Sequence, residues 1–180
     1  SAIRHGHAKK CNRPQFLQAQ CWVTLGISVF GCADRKYVLP IVSRLVPAKD
    51  NRNKLIIALA LVRNLAPTIA SKSVRLLFDS WFMRARLILP LLSRKMQVIG
   101  QARYDTALFM PPEVLSKPRR GRPKIYGIKI TPEAIQRLPA TEVRLTLYGK
   151  EQLIRLRTVV AIARFLKGVP VRAVWCEFYD

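Results

Sequence analysis

The chain has 180 residues, half of them hydrophobic, so it is long and apolar enough to bury a core and is not a disordered basic tail. Lys and Arg outnumber Asp and Glu by 32 to 10, a formal net charge of +22 that favours nucleic acid as the partner, ahead of an anionic membrane surface. The longest apolar run, Leu55–Val62, is much shorter than a membrane span, and the first ten residues lack the apolar stretch of a secretion signal, so we expect a cytoplasmic protein with no membrane partner.

The first part of the chain is predicted to contain a loop followed by two strands. Residues 1–19 are polar and basic, which is typical of a loop. Gln20–Phe30 and Tyr37–Val46 are rich in β-branched and aromatic residues and predict two antiparallel strands joined by a turn. Pro40 has no backbone N–H to donate, so it predicts an edge position or a bulge in the second strand.

Two helices and two strands are predicted next, in alternation. Asp50–Pro67 has capping residues, an apolar run and a final proline, which favour a buried helix, although Leu55–Val62 alone also fits a strand. Ser73–Phe82 predicts a short apolar strand that carries one acid. Met83–Met96 predicts an amphipathic helix kinked by its proline, and Gln97–Arg103 predicts another short strand.

The remainder of the chain is predicted to be rich in strands. Met110–Gly127 is a Pro-rich basic loop, and Thr131–Leu138 fits one or two helical turns. Three further segments predict strands, with a hairpin turn between the first two: Thr141–Gly149, Glu151–Leu166 and Val169–Asp180. The predicted fold class is therefore mixed αβ, or α+β.

Asp79 is the only acid at the carboxyl end of an apolar strand in the first part. Ligands and metals in αβ sheets gather at that edge, and a carboxylate there could bind Mg²⁺ through its oxygens. Alternatively, Asp79 has a structural role and caps the helix predicted at Met83–Met96. The residue pattern alone leaves both roles open.

The segment Val74–Pro112 resembles the DDE transposases of bacterial insertion sequences. The matching pattern is an apolar strand, Asp79, aromatic residues two and three positions later, a helix, and a strand that leads to an Arg-x-Asp. The loop RRGRPKIYG, Arg119–Gly127, follows. Upstream, Arg13–Val29 and Leu39–Pro47 are similar to the central strands of such an enzyme, so the resemblance covers nearly the whole chain.

This resemblance implies a ribonuclease-H-like fold in which three carboxylates hold two divalent ions, Mg²⁺ or Mn²⁺. In the family these ions activate water or a 3′-hydroxyl group and stabilise the leaving oxygen at a phosphodiester. By position Asp79 resembles the second carboxylate, which makes it the candidate catalytic and metal-binding residue. The implied partners are double-stranded DNA, at transposon ends and at target sites, and a second copy of the enzyme, in the bacterial cytoplasm and at the nucleoid.

Two of the three implied carboxylates have no match in this chain. The family's first carboxylate lies on a strand before Gln20–Phe30, and its third lies on a helix after the β-rich insertion. Four other acids match neither position: Asp34, Asp50, Glu177 and Asp180. We therefore expect a transposase fragment that is inactive and binds no metal tightly on its own; a non-catalytic basic DNA-binding protein is the alternative. Residues 1–105 are predicted as a truncated ribonuclease-H-like core without its first strand, and residues 106–180 as the basic loop and β-rich insertion.

The loop Lys117–Lys124, KPRRGRPK, is the densest basic stretch. Its Arg-Gly-Arg-Pro core has the chemistry of a minor-groove hook, since a narrow A/T groove attracts arginine and glycine permits close approach. A single copy between ordered segments favours instead a loop that grips the DNA backbone without reading sequence. A solvated loop without a role is the third possibility. The candidate DNA-binding residues are Arg119, Arg120, Arg122 and Lys124.

Other basic side chains are predicted to extend this DNA-binding surface. Those on or beside the second helix are Arg84, Arg86, Arg94 and Lys95, and those on strands are Arg144, Arg155, Arg157 and Arg164. Arg155 and Arg157 share one sheet face, because strand side chains alternate. The three tryptophans lie in apolar runs and are predicted to be core: Trp22, Trp81 and Trp175.

Overall fold

The computed structural model describes residues 3–6, 16–31, 36–47, 53–69, 73–103, 105–113, 121, 123–147 and 149–179. The chain divides into two compact units, Ser1–Gln101 and Ala102–Asp180. Helices alternate with strands in the first unit and the second is mainly strand, so the mixed αβ prediction is confirmed. None of the helices in these ranges is both long and apolar enough to cross a membrane.

The N-terminal segment forms two short strands where the sequence predicted a loop. β1 (Ile3–Gly6) and β2 (Phe16–Ala19) pair antiparallel along their whole length. The loop prediction relied on polar and basic composition, whereas strand pairing is made by backbone hydrogen bonds, which most side chains tolerate. The prediction is therefore wrong over these two strands.

A long antiparallel hairpin follows, and it contains the bulge that a proline predicts. β3 (Trp22–Phe30) pairs with β4 (Lys36–Leu45), and the register shifts so that Gly26 lies opposite Pro40 and Ile41 is the extra residue. A Cβ atom on Gly26 would lie 2.9 Å from a backbone oxygen of β4, so the strands approach closely at this point. A missing N–H and a missing side chain thus coincide at the irregularity.

The first helix, α1 (Asn53–Ile69), settles whether its apolar run is helix or strand. Buried residues recur at three- and four-residue spacing along one face: Lys54, Ala58, Leu61 and Val62. Pro67 lies inside α1 and does not end it as predicted. Proline removes its own N–H bond, but the residues after it remain free to stay helical.

The next three elements form a parallel βαβ unit. β5 (Arg75–Phe78) pairs in parallel with β6 (Gln97–Gly100), and α2 (Ala85–Leu92) connects them. α2 contacts both β6 and α1, and the unit buries Leu76, Leu87, Ile88 and Leu91. Both strands and the helix are shorter than predicted. The proline of α2 lies within the helix, and the kink there stays a prediction.

The described strands of the first unit form three separate two-stranded sheets, β1–β2, β3–β4 and β5–β6. A ribonuclease-H-like core implies one continuous sheet. Among the described residues no strand joins the antiparallel hairpin to the parallel pair. The coarse fold class is thus established, and the ribonuclease-H-like core stays a proposal.

The second unit is an antiparallel sheet built around one long strand. β9 (Lys150–Ala163) pairs with β10 (Pro170–Phe178) on one edge, and with β8 (Ala140–Leu147) and then β7 (Leu108–Phe109) on the other. Its largest buried side chains come from β9 and the one-turn 3₁₀ helix that follows it. The predicted β-rich second part is confirmed.

Two local predictions in this unit are also confirmed. α3 (Pro132–Gln136) begins after Thr131, whose hydroxyl oxygen accepts a hydrogen bond from the Ala134 N–H at 3.3 Å, as an N-cap does. The predicted hairpin joins β8 to β9 with Leu147 opposite Lys150. Gly149 lies in its turn at a φ of 78°, which glycine adopts without strain.

Candidate functional site

Asp79 lies directly after β5 and closes a tight turn with its own side chain. The backbone N–H groups of Trp81 and Phe82 donate to its Oδ1 atom at 3.0 and 3.1 Å. The helix α2 begins later, after Arg84, and has no side-chain cap. Asp79 therefore does not cap that helix, as the structural alternative expected, but fixes the turn between β5 and α2. It is exposed, and in the described part of the chain no lysine or arginine nitrogen lies within 4.0 Å of its carboxylate.

The turn presents Trp81 at the surface, not in a core. Trp81 is 41% exposed, and Trp22 on β3 is also exposed, so the core prediction is wrong for both. An apolar run in a short strand and its turn exposes part of its side chains, because successive residues point in different directions. The Trp81 ring meets Phe82 edge-on with centroids 5.2 Å apart, and Phe82 lies 6.1 Å from Phe78. These aromatic contacts hold the turn against the end of β5.

A lysine from α1 reaches the same turn. The Nζ atom of Lys54 lies 4.9 Å from the centroid of the Trp81 ring, which is cation–π distance. Lys54 is 9% exposed and belongs to the buried face of α1. Sequence reasoning missed this residue, although its helical spacing with Ala58 was a signal that it lies on the apolar face. The structure thus brings a cation and the Asp79 turn together.

The described residues around Asp79 do not include a cluster of metal-ligating side chains. Within the described ranges no three Asp, Glu, His or Cys side chains lie close enough to hold a metal ion. Asp79 supplies a single carboxylate, and its Oδ1 already accepts two backbone hydrogen bonds. Mg²⁺ is commonly bound through one or two carboxylates together with waters and substrate phosphates, and Asp79 supplies at most one of these carboxylates. No catalytic step through a metal follows from these residues alone.

The Arg-x-Asp motif belongs to the second unit and forms an ion pair. The Nε atom of Arg103 lies 3.2 Å from a carboxylate oxygen of Asp105, and both side chains are about half exposed. The Asp105 carboxylate is thus paired with a residue two positions earlier in the chain. The motif is therefore a local salt bridge in this chain.

Most of the basic loop lies outside the described residues. Arg119, Arg120 and Arg122 fall there, so their predicted DNA contacts stay predictions. Lys124 is described and is exposed, which suits a phosphate contact. Gly121 has a φ of 112°, a conformation that side-chain-bearing residues rarely adopt.

Two strand arginines for which DNA contact is predicted form ion pairs with carboxylates of the same sheet. Arg155 lies between Glu142 of β8 and Glu177 of β10 in register, with its guanidinium 3.4 and 3.9 Å from them. Arg157 is 8% exposed and is also paired with Glu177. The two carboxylates balance the charges of both arginines within the sheet, so a DNA-binding role for Arg155 and Arg157 stays a prediction that would require these ion pairs to open. The signal that could have indicated these pairs was the cross-strand position of the two glutamates.

Tyr179 completes this charged row. Its Oη atom donates to Oε1 of Glu142 at 2.8 Å, and its ring lies 5.0 Å from the guanidinium carbon of Arg155. The hydrogen bond from Tyr179, followed by that from Arg155, lowers the pKa of the Glu142 carboxyl. The same hydrogen bond is the main cause that raises the pKa of the Tyr179 hydroxyl. The row therefore ties the residue that follows β10 to β8 across the central strand.

Other basic residues remain available for a polyanion. Those after Asp79 are exposed: Arg84, Arg86, Arg94 and Lys95. Exposed basic residues of the second unit outside the charged row include Arg144, Arg164 and Arg172. No carboxylate of the described residues lies within ion-pair distance of these side chains.

Neither a protein-family model nor a curated protein sequence matches this chain. The transposase resemblance accordingly depends on the residue pattern alone. Among the described residues, the structure shows Asp79 exposed after a parallel strand, the aromatic turn that it fixes, and exposed basic side chains without a carboxylate at ion-pair distance.

Proposed function

We propose that this chain is part of a DDE-type DNA transposase and that it binds double-stranded DNA through its lysines and arginines. The observation that carries the proposal is the position of Asp79, exposed at the carboxyl end of β5 in a parallel pair of strands. That edge is where αβ sheets bind ligands. The order of hairpin, helix and βαβ unit supports the ribonuclease-H-like core that the resemblance implies.

The charge of the chain supports DNA as its partner. A net charge of +22 on a folded chain is self-repelling, and a phosphate backbone would relieve that repulsion. Arg155 and Arg157 are neutralised within the sheet, so DNA contact falls to the exposed basic residues around α2 and to the basic loop. Contacts of this kind position DNA without reading its sequence. The proposed substrates are transposon ends and target DNA, in the cytoplasm of a bacterium.

Catalysis is proposed for the complete enzyme only. There Asp79 would be one of three carboxylates that hold Mg²⁺ or Mn²⁺, which would activate the attacking oxygen at a phosphodiester. The other two carboxylates have no match among the acids of this sequence. A second copy of the enzyme would be a further partner. Asp79 alone supports neither tight metal binding nor cleavage.

Duplex DNA binding by this chain tests the proposal directly. Fluorescence anisotropy of a labelled duplex, measured over a series of salt concentrations, should show binding whose log K falls linearly with log salt. Arg119→Ala with Arg122→Ala should reduce that slope by about two, since two phosphate contacts are lost. An unchanged slope would remove the loop from the interface, and failure of the unsubstituted chain to bind would overturn the proposed function.

A non-catalytic DNA-binding protein is the second candidate. It is favoured by one observation, that the described residues contain no group of three Asp, Glu, His or Cys side chains that could hold a metal ion. Asp79→Asn in a complete enzyme separates the two candidates. The transposase proposal expects loss of Mg²⁺-dependent cleavage with DNA binding retained, whereas cleavage that survives the substitution would remove Asp79 from catalysis.

A further inference from the structure

We propose that Lys54 and Trp81 form a phosphate-binding site at the turn closed by Asp79, in which Lys54 contacts the DNA backbone. The inference rests on the proposed function, since it takes the DNA phosphodiester as the ligand. It adds a binding residue that no motif in the sequence indicates, because Lys54 lies on α1, before the segment that resembles the transposases.

The position of Trp81 is fixed from two directions. Its backbone N–H donates to Asp79, and its ring packs edge-on against Phe82, which in turn lies near Phe78 at the end of β5. A turn held in this way gives the indole a defined orientation while leaving 41% of the residue exposed. These contacts therefore set the orientation of the Trp81 side chain at the surface.

Lys54 places its ammonium group beside the Trp81 ring. The residue as a whole is 9% exposed, but its Nζ atom is not one of the described buried nitrogens that lack a hydrogen-bond partner. Among the described residues no carboxylate lies within 4.0 Å of it, and its described contact is the ring face at 4.9 Å. A cation–π contact leaves N–H donors of the lysine for an oxygen ligand. Those N–H groups can donate to a phosphate oxygen.

The surrounding charges suit a phosphodiester. Lys54 is the second residue of α1, so the positive end of the helix dipole reinforces its charge. The exposed Arg84 and Arg86 follow the same turn. The Asp79 carboxylate would repel a phosphate that approached it alone, and a lysine beside the turn offsets this repulsion. Lys54 would thus position the DNA backbone next to the carboxylate that the proposed function requires.

Trp81 itself can report whether DNA reaches this site. In a chain carrying Trp22→Phe and Trp175→Phe, Trp81 is the remaining tryptophan. Saturating unlabelled duplex should change the Trp81 emission. A phosphate that accepts hydrogen bonds from the Lys54 ammonium group changes the charge environment of the indole ring beneath it. Lys54→Met should abolish this change and reduce the salt slope of DNA binding by about 0.9, whereas Lys54→Arg should retain both. Arg63→Met, an exposed position on the same helix, is the matched control and should leave the emission change intact.

The outcomes separate this site from the proposed function. DNA binding with the same slope and the same emission change in Lys54→Met would overturn the Lys54 site and leave the proposed function standing. An emission change that persists while the slope falls would assign Trp81 to a base and would also overturn the site. No DNA binding by the parent chain would overturn the proposed function itself. If circular dichroism shows that Lys54→Met is unfolded, the test uses the chain that keeps Lys54 and has Trp81 as its remaining tryptophan. If saturating DNA leaves the Trp81 emission of that chain unchanged, the site is overturned.

Discussion

Arg157 on β9 is almost fully buried and is paired with Glu177 on β10, which is about half exposed. The Nε and Nη1 atoms of Arg157 are buried and have no well-formed hydrogen bond among the described residues, so the contact of Nη1 with Glu177 is an ion pair. The guanidinium therefore depends on Glu177 for the compensation of its charge. Glu177 also lies 3.9 Å from Arg155, so one carboxylate serves two arginines of the central strand.

Removal of the carboxylate should cost more than removal of the buried arginine. Glu177→Gln leaves a buried cation without its partner and should lower the free energy of unfolding by about 1–3 kcal/mol, less than for a fully buried pair because Glu177 is half exposed. Arg157→Met replaces the cation with an apolar side chain of similar length and should be close to neutral. Urea unfolding of both variants and of the double variant measures the difference. The interpretation is wrong if Arg157→Met is the more destabilising of the two.

The hydrogen bond between Tyr179 and Glu142 should give stability that depends on pH at both ends of the scale. The pKa of Glu142 is lowered in the folded chain, so its contribution is present above the ordinary value of 4.5 and is lost as the pH falls through the lowered pKa. The pKa of Tyr179 is raised, so its contribution is present below the ordinary value of 10.0 and is lost as the pH rises through the raised pKa. The stability difference between the native chain and Tyr179→Phe should therefore be largest at neutral pH. Thermal unfolding of both chains at about pH 3, 7 and 11 measures it, and a difference that is the same at all three values would contradict the assignment.

Local chemistry accounts for the parts of the fold that the sequence predicts well. Pro40 has no N–H, so a bulge or an edge was required there, and the register shift opposite Gly26 is the result. The apolar run of α1 is ambiguous by itself, but the buried spacing from Lys54 to Val62 is helical. By contrast, the pairing of β1 with β2 joins segments distant in sequence, and polar composition carries no information about such a ladder.

The candidate site also contains one feature that the local sequence predicts and others that depend on distant parts of the chain. The place of Asp79 after a strand can be read from the residues, because it depends on an apolar run followed by an acid. The contact between Lys54 and Trp81 cannot, since it depends on where the first turn of α1 lies relative to the turn after β5. The ion pairs of Arg155 could not be predicted for a related reason: a strand arginine is free or paired according to its cross-strand neighbours, and these are set by register.

Exposed and paired arginines of the second unit should differ in their effect on DNA binding. Arg144→Ala with Arg172→Ala removes two exposed cations without carboxylate partners among the described residues, and should reduce the salt slope of duplex binding by up to about two. Arg155→Ala removes a cation that the sheet already neutralises, so the slope should change little. Anisotropy titrations of the three proteins over a salt series compare them. A larger loss for Arg155→Ala would show that the charged row opens to contact DNA.

Two substitutions of Asp79 should separate its structural role from its proposed chemistry. Asparagine keeps an oxygen at the Oδ1 position, so Asp79→Asn can still accept the hydrogen bonds from Trp81 and Phe82 and should leave the stability of this chain nearly unchanged. Alanine removes that acceptor and should lower the free energy of unfolding by about 1 kcal/mol, because the turn loses its side-chain bonds. Urea unfolding of the two variants gives this comparison, and equal stabilities would show that the Oδ1 bonds do not hold the turn. If Asp79→Asn keeps the stability of the turn, loss of cleavage when the same change is made in a complete enzyme reports the negative charge and not the fold.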